Sequence, residues 1–148
     1  MVYIVPELHH LIYQSCTEIE MPQQALNTLV KRARFNNFIY QITGLLLYGE
    51  QQFIQVLEGD KDNLDIIFKK ILLDDRHHKI QMLAYTPIAE RSFVNWNMGF
   101  VLFSQQPELK NALIEQKIVK NFYSPFSDHE SINLIKSFSH KDFIACIN

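Results

Sequence analysis

Two short apolar runs separated by a polar link lie near the middle of the chain, at 42–48 and 53–57. Such runs on either side of a short polar turn predict a β-hairpin. The first run, ITGLLLY, does not alternate apolar and polar residues, which indicates a strand buried on both faces. The second run carries an amide, Gln55, between Ile54 and Val56. A buried amide needs hydrogen-bonding partners, so Gln55 is the first sign of polar chemistry inside the predicted core.

The stretch before the hairpin shows the apolar spacing of an amphipathic helix. It opens at Met21–Pro22, since proline is well tolerated in the first turn of a helix. Its apolar face, spaced at i, i+3, i+4 and i+7, consists of Leu26, Leu29, Val30 and Ala33. One turn further along this face lies Asn37, with Asn36 beside it. Either these asparagines point inward at a polar group, or they simply end the helix, as asparagine often does.

A second helix and three further strands complete the predicted core. A turn and N-cap at Gly59–Asp60 precede this helix, whose apolar face consists of Leu64, Ile67, Phe68 and Ile71. The additional strands are Leu8–Ser15, Ile80–Tyr85 and Phe93–Phe103. Alternation along the last of them would place on one face Trp96, Met98 and Phe100. The order β-α-β-β-α-β-β predicts an α+β fold, a ferredoxin-like sheet with an extra strand and two helices on one face.

The sequence beyond Gln105–Pro107 predicts a helical extension. Apolar residues with helical spacing recur there, at 109–113 and again at 132–138. A sheet with helices on one face and fully buried strands needs a cover on its other face. We therefore expect a core over residues 1–104 and C-terminal helices over 105–148 that pack on it, within one structural domain.

Composition excludes several classes of function. The formal net charge of −2 over 148 residues gives no general attraction to nucleic acid or anionic lipid. Two distant cysteines and the adjacent His77–His78 lack metal-ligand spacing, so we expect no metal site. No signal peptide or membrane-spanning apolar run is evident, which favours a soluble cytoplasmic protein. The four glycines form no phosphate-binding loop, and nucleophile-elbow and zinc-protease motifs are absent.

What remains is a set of aromatic, amide and thioether side chains on the predicted strands. Taken singly, Tyr13, Gln55, Trp96 and Met98 each have an ordinary explanation as core residues. Together with Asn37 they suggest more. A tyrosine can give up a proton and an electron, and amides both donate and accept hydrogen bonds. Such a set suits a planar polar ligand between helices and sheet, for example a flavin.

Six segments in order resemble the BLUF family, the sensors of blue light using FAD: LIYQS, ARFNN, ITGLLLY, FIQVLEGD, DDRHH and RSFVNWNMGF. The resemblance runs from about Leu11 to about Phe103. It implies that Tyr13 is the photoactive tyrosine and Gln55 the switching glutamine. It also implies that Asn37 contacts the C4 carbonyl edge of the flavin, with Asn36 as a neighbouring contact.

The remaining family positions fall on both sides of the expected ring. The resemblance implies that Arg76 lies near another polar edge of the flavin. Trp96 and Met98 would be the switch-associated residues whose placement inside or outside the pocket varies. The ring would be sandwiched between Ile42 and the helix face that runs from Leu26 to Val30.

The resemblance implies a photoreceptor and not an enzyme. Flavin, as FAD or alternatively FMN, would bind non-covalently. Light would drive electron and proton transfer from Tyr13, and the Gln55 side chain would rearrange. The signal would pass by contact to a protein partner, in a homo-oligomer that involves neither nucleic acid nor membrane. Two alternatives stay open on the residues alone: a flavin-dependent enzyme, and a ligand-free interaction module of ferredoxin-like fold.

Overall fold

A five-stranded sheet and two helices make up residues 7–102, the part of the chain that the computed structural model describes. In chain order the elements are β1 Leu8–Cys16, α1 Gln23–Ile39, β2 Thr43–Gly49, β3 Gln52–Asp60, α2 Lys61–Leu72, β4 His78–Pro87 and β5 Gly99–Leu102. This is the predicted order of strands and helices. The predicted C-terminal helices lie outside the described residues.

The strands are arranged β4-β1-β3-β2-β5. All neighbours are antiparallel except β2 and β5, which are parallel. The first four strands therefore have the ferredoxin-like order, and β5 is the extra strand at the β2 edge. The α+β prediction is confirmed. In the central pair the register sets Tyr13 of β1 directly opposite Gln55 of β3.

The sheet has two distinct faces because side chains alternate along each strand. The face that bears Leu11 and Tyr13, here called the front face, packs against the buried residues Leu26 and Val30 of α1 and against α2. The opposite, back face bears Ile12 and Gln14, which are also buried. No helix within residues 7–102 is long and apolar enough to cross a membrane.

The central hairpin forms as predicted, and all seven residues of β2 are buried. Its turn places Glu50 and Gln51 at φ values of 51° and 62°, the left-handed pair that two-residue hairpins favour. Gly44 is required for close strand pairing, because a Cβ there would lie 1.9 Å from the Val56 carbonyl oxygen.

Two local predictions are wrong. Gly59–Asp60 ends β3 instead of forming a turn, although Asp60 does occupy the predicted N-cap position of α2, without a capping hydrogen bond from its side chain. The last strand begins only at Gly99, so 93–98 is a loop and Trp96 and Met98 share no strand face. The backbone bonds locally there: the Trp96 amide donates to the Phe93 carbonyl at 3.1 Å, closing a turn.

Candidate functional site

A cleft of about 290 Å³ opens between the two helices and the front face of the sheet. Its floor is formed by Tyr13, Leu46, Phe53 and Gln55. One wall is provided by α1 through Leu29, Ala33, Asn36 and Asn37, and the opposite wall by α2 through Ile67 and Ile71. Polar and charged side chains also line the cleft, among them Arg32 and Lys70. Apolar walls combined with such groups suit a planar organic ligand that carries polar groups at its edges.

A chain of three side chains lies at the inner end of the cleft. The buried Tyr13 hydroxyl donates to Oε1 of Gln55, whose Nε2 donates to Sδ of Met98 at 3.5 Å. Burial raises the pKa of Tyr13 above its usual range, so the phenol stays protonated and keeps the proton that it donates to Gln55. The Gln55 amide therefore turns its oxygen toward Tyr13 and its nitrogen toward the Met98 sulfur.

The end of α1 is tied to the segment that carries Met98. Nδ2 of Asn37 donates to the Asn97 carbonyl at 2.6 Å, and Nε of Arg34 donates to the Met98 carbonyl at 2.9 Å. Asn37 is 2% exposed, so the interpretation that it points inward is confirmed. Asn36 also lines the cleft, and its side chain makes no hydrogen bond to any residue in 7–102.

His77 also lines the cleft. From the sequence it was assessed only as a metal ligand, and its spacing argued against that role. Its Nε2 donates to the Ile71 carbonyl at 2.8 Å, and its Nδ1 lies 2.7 Å from the Ser15 hydroxyl. In the neutral ring Nδ1 therefore accepts from Ser15. The imidazole thus joins the end of α2 to β1 beside Tyr13, whose ring centroid is 6.3 Å away. The one sequence feature that could have indicated this role is Ser15, a polar residue two positions after Tyr13 and so on the same strand face.

Arg76 lies on the cleft lining, where the resemblance expected it. Its guanidinium forms an ion pair with Asp74, with Nε 2.9 Å from Oδ1. Hydrogen bonds from Arg76 lower the pKa of Asp74, partly opposed by burial. Asp74 is itself a lining residue of the cleft.

Several predicted contact residues lie elsewhere. Leu26, Val30 and Ile42 belong to the core beneath the cleft and do not line it. Among the apolar side chains of α1, those that face the cleft are Leu29 and Ala33. Leu26 and Val30 point at the sheet, and Leu29 and Ala33 lie beside them on the side of the helix that faces the cleft. The expected sandwich of a flavin ring between Ile42 and the Leu26–Val30 face stays a prediction.

Trp96 and Met98 separate in the structure. Met98 is buried against Gln55, whereas half-buried Trp96 stacks on Phe93 at a centroid distance of 5.8 Å and does not line the cleft. Within residues 7–102, no group of three or more histidine, cysteine or acidic side chains could hold a metal ion.

The flavin that the resemblance implies fits these residues. The Asn36 amide faces the cleft without a hydrogen bond inside the described part of the chain, and the buried Asn37 amide lies beside it. Amides suit the alternating carbonyl and N–H groups of a flavin edge. The apolar side chains of α1 and α2 provide facing walls for the rings, and the Gln55 amide lies at the floor.

Comparison with known proteins gives a consistent result. The family model BLUF, described as sensors of blue-light using FAD, matches residues 8–99. The photoactivated adenylate cyclase subunit beta of Euglena gracilis is 30% identical over 125 residues, which cover 81% of this chain and 14% of that protein. The blue light- and temperature-regulated antirepressor BluF of Escherichia coli (strain K12) is 33% identical over 79 residues, 52% of this chain and 20% of its own.

Solved structures are similar over a larger share of their length. The dark-state structure of BlrB, a BLUF protein, has a TM-score of 0.76 and 27% identity, covering 90% of this chain and 98% of that one. The ground state of BlsA has a TM-score of 0.71 and 26% identity, over 88% and 85% of the two chains. The chain spans only 14% of the cyclase subunit beta, which carries much more besides the matched region.

Proposed function

The chain belongs to the BLUF family, the blue-light photoreceptors that use FAD, and on that premise we propose that Tyr13 and Gln55 are its light-responsive pair. The observation that carries this proposal is the continuous chain from the Tyr13 hydroxyl through the Gln55 amide to the Met98 sulfur. Both neighbours of the amide are buried, so a change at Tyr13 alters the hydrogen bonding of Gln55 without competition from bulk water.

The cleft residues divide the work of binding. Asn36 and Asn37 would hold the polar edge of the ring, while Arg76 would lie near another polar edge. Leu29 and Ala33 would contact one face of the ring, and side chains of α2 the other. When bound and excited by blue light, the flavin supplies an electron acceptor.

Tyr13 and Gln55 would provide the switch. Tyr13 loses an electron and passes its proton toward Oε1 of Gln55, the atom that its hydroxyl already contacts. If the Gln55 amide turns or tautomerises before the proton returns, the donor and acceptor ends are exchanged. Each hydrogen bond is worth about 1 kcal/mol, so the new state differs modestly in energy and can relax in the dark.

Output through protein contact, without turnover of a substrate, fits a sensor module of this family. We propose a protein partner and a homo-oligomer, in the cytoplasm, with neither nucleic acid nor membrane involved. The net charge of −2 supports the last point. We also propose that residues 105–148 cover the back face, where Ile12, Ile54 and Val56 are fully buried.

Absorbance of the purified full chain before and after blue light tests the function. We expect a yellow protein whose flavin band shifts reversibly to the red, and a Tyr13→Phe variant that stays yellow but does not shift. A normal photocycle in Tyr13→Phe would overturn the assigned mechanism. Consumption of NADH would instead support the enzyme alternative, and a protein that stays colourless after refolding with FAD would support the ligand-free module.

A further inference from the structure

Glu58 is a carboxylate that is completely buried on β3. It lies opposite His10 of β1 and Thr43 of β2, and alternation places it on the back face, away from Gln55. A buried carboxylate is costly unless it is hydrogen-bonded. Glu58 Oε1 accepts from the Thr43 hydroxyl at 3.1 Å and from the Phe93 amide at 2.9 Å, and Oε2 accepts from the Ser92 amide at 2.5 Å.

Arg91 reinforces this attachment from the neighbouring position. Its Nη1 donates to the Glu58 carbonyl and to the Thr43 hydroxyl, each at 2.9 Å, and its Nη2 donates to the Gln41 carbonyl at 2.9 Å. One end of the 91–98 loop is therefore fixed to β3 and to the chain around the start of β2. Glu58 binds this end of the loop through the backbone amides of Ser92 and Phe93. Substituting the side chains of those two residues would therefore not remove these hydrogen bonds.

The other end of the 91–98 loop lies on the front face, at the light-responsive pair. Met98 places its sulfur against Nε2 of Gln55, and Asn37 and Arg34 bind the carbonyls of Asn97 and Met98. The loop thus runs from a back-face anchor to a front-face contact. Glu58 and Gln55 are three residues apart on one strand, about 10 Å at the usual rise.

We propose that Glu58 is a positioning residue for the Gln55 switch, which rests on the function proposed above. By holding the 91–93 end of the loop, it keeps the Met98 sulfur where only the donor end of the Gln55 amide is a good neighbour. When the amide is reversed, its oxygen faces the sulfur and two acceptors meet. If Met98 is held in place, the state with the reversed amide is raised in energy. If Met98 can move, its sulfur can turn away from the amide oxygen and that state becomes more stable.

The Glu58→Gln variant tests this role with almost no change in size. It leaves one acceptor oxygen for three donors and turns an NH₂ group toward a backbone N–H. We expect the red-shifted state to form and to decay in the dark about fivefold more slowly, which corresponds to about 1 kcal/mol. The measurement is the rate of recovery of the flavin band after blue light.

A second readout does not depend on the flavin. Trp96 is the only tryptophan of the chain and lies in the same loop, stacked on Phe93. In Glu58→Gln we expect its fluorescence to shift to the red and to be quenched more strongly by acrylamide. If the parent protein shows no photocycle, the proposed function fails, and unchanged Trp96 fluorescence separately overturns the anchoring role.

Two further variants separate positioning from a general loss of stability. Tyr48→Phe removes a buried hydroxyl that accepts from the Met21 amide at 2.9 Å and does not contact the loop, so it should leave recovery and Trp96 fluorescence unchanged. Arg91→Ala should act in the same direction as Glu58→Gln even if the latter does not fold. Equal effects in Tyr48→Phe, or parental recovery in both anchor variants, would overturn the proposal.

Discussion

Neighbouring residues on β1 show how differently the two faces of the sheet treat buried polar groups. On the front face Tyr13 bonds Gln55, and Ser15 bonds His77. On the back face Gln14 is 1% exposed, yet within residues 7–102 neither its amide oxygen nor its amide nitrogen has a hydrogen-bond partner. The front-face groups form a network with defined donors and acceptors, whereas the Gln14 amide belongs to no such network within the described part of the chain.

The difference separates polar groups that bond one another from a buried amide, Gln14, that bonds none of residues 7–102. An unsatisfied buried amide costs about 1–3 kcal/mol, and a protein can carry that cost without any role for the side chain. Glu58 shows that the back face is not uniformly of this kind, because its carboxylate has three partners. Hydrogen bonding, and not burial alone, therefore marks the residues that we expect to matter for the switch.

Matched leucine substitutions on the two faces give the largest expected contrast. Gln55→Leu removes the acceptor of the Tyr13 hydroxyl and the donor to Met98, so the light-induced red shift should disappear entirely. Gln14→Leu, one residue away from Tyr13 but on the back face, should keep the shift. Absorbance before and after illumination measures both. Loss of the shift in Gln14→Leu would mean that the two faces do not differ in this way.

The same Gln14→Leu variant should also be more stable than the parent. Replacing an unsatisfied buried amide by an apolar side chain of similar size removes its desolvation cost, so unfolding should require about 1–3 kcal/mol more. Tyr13→Phe should have the opposite sign, because it leaves Oε1 of Gln55 without its donor.

Urea unfolding at saturating FAD measures both changes, since bound ligand contributes to apparent stability. Destabilisation by Gln14→Leu would show that its amide has hydrogen-bond partners outside residues 7–102. If both variants changed the unfolding free energy in the same direction, the two faces would not differ in stability. The difference in photochemistry is tested separately, by the absorbance measurement above.

Local periodicity was sufficient to predict most of the front face. The apolar run at Leu8–Ser15 predicted the strand that carries Tyr13. The stripe on α1 predicted an inward Asn37, because that position follows from the geometry of a single helix. The hairpin runs predicted β2 and β3, and hence Gln55. The sequence order alone was enough for the ferredoxin-like arrangement.

Features that depend on distant partners were not predictable. Glu58 follows an apolar run and resembles an exposed strand end, but its loop partners lie more than 30 positions away. The Phe93 amide donates to Glu58 and the Trp96 amide to the Phe93 carbonyl, so these two amides of 93–98 do not pair with a neighbouring strand, despite the aromatic residues of the segment. His77 similarly gains its role from Ser15, a contact between remote parts of the chain.

The smallest expected effect concerns the rim of the cleft, where Asp74 pairs with Arg76 outside the inner network. Hydrogen bonds from Arg76 hold the pKa of the Asp74 carboxyl below its ordinary value of about 4. The pair therefore adds stability above that ordinary value and loses it as pH falls through the lower folded-state pKa. Because both side chains are partly exposed, Asp74→Asn should cost less than about 1 kcal/mol at neutral pH.

The difference in unfolding free energy between parent and Asp74→Asn, followed by urea titration as pH is lowered, checks the sign. It should shrink toward zero in acid and should also shrink in high salt, which screens an exposed pair. The light-induced shift should be unaffected as long as flavin stays bound, because neither member of the pair bonds Tyr13, Gln55 or Met98 within residues 7–102. A stability difference that grows in acid would contradict the assigned sign. Loss of the light-induced shift in a flavin-loaded Asp74→Asn variant would show that the Asp74–Arg76 pair also belongs to the front-face hydrogen-bond network.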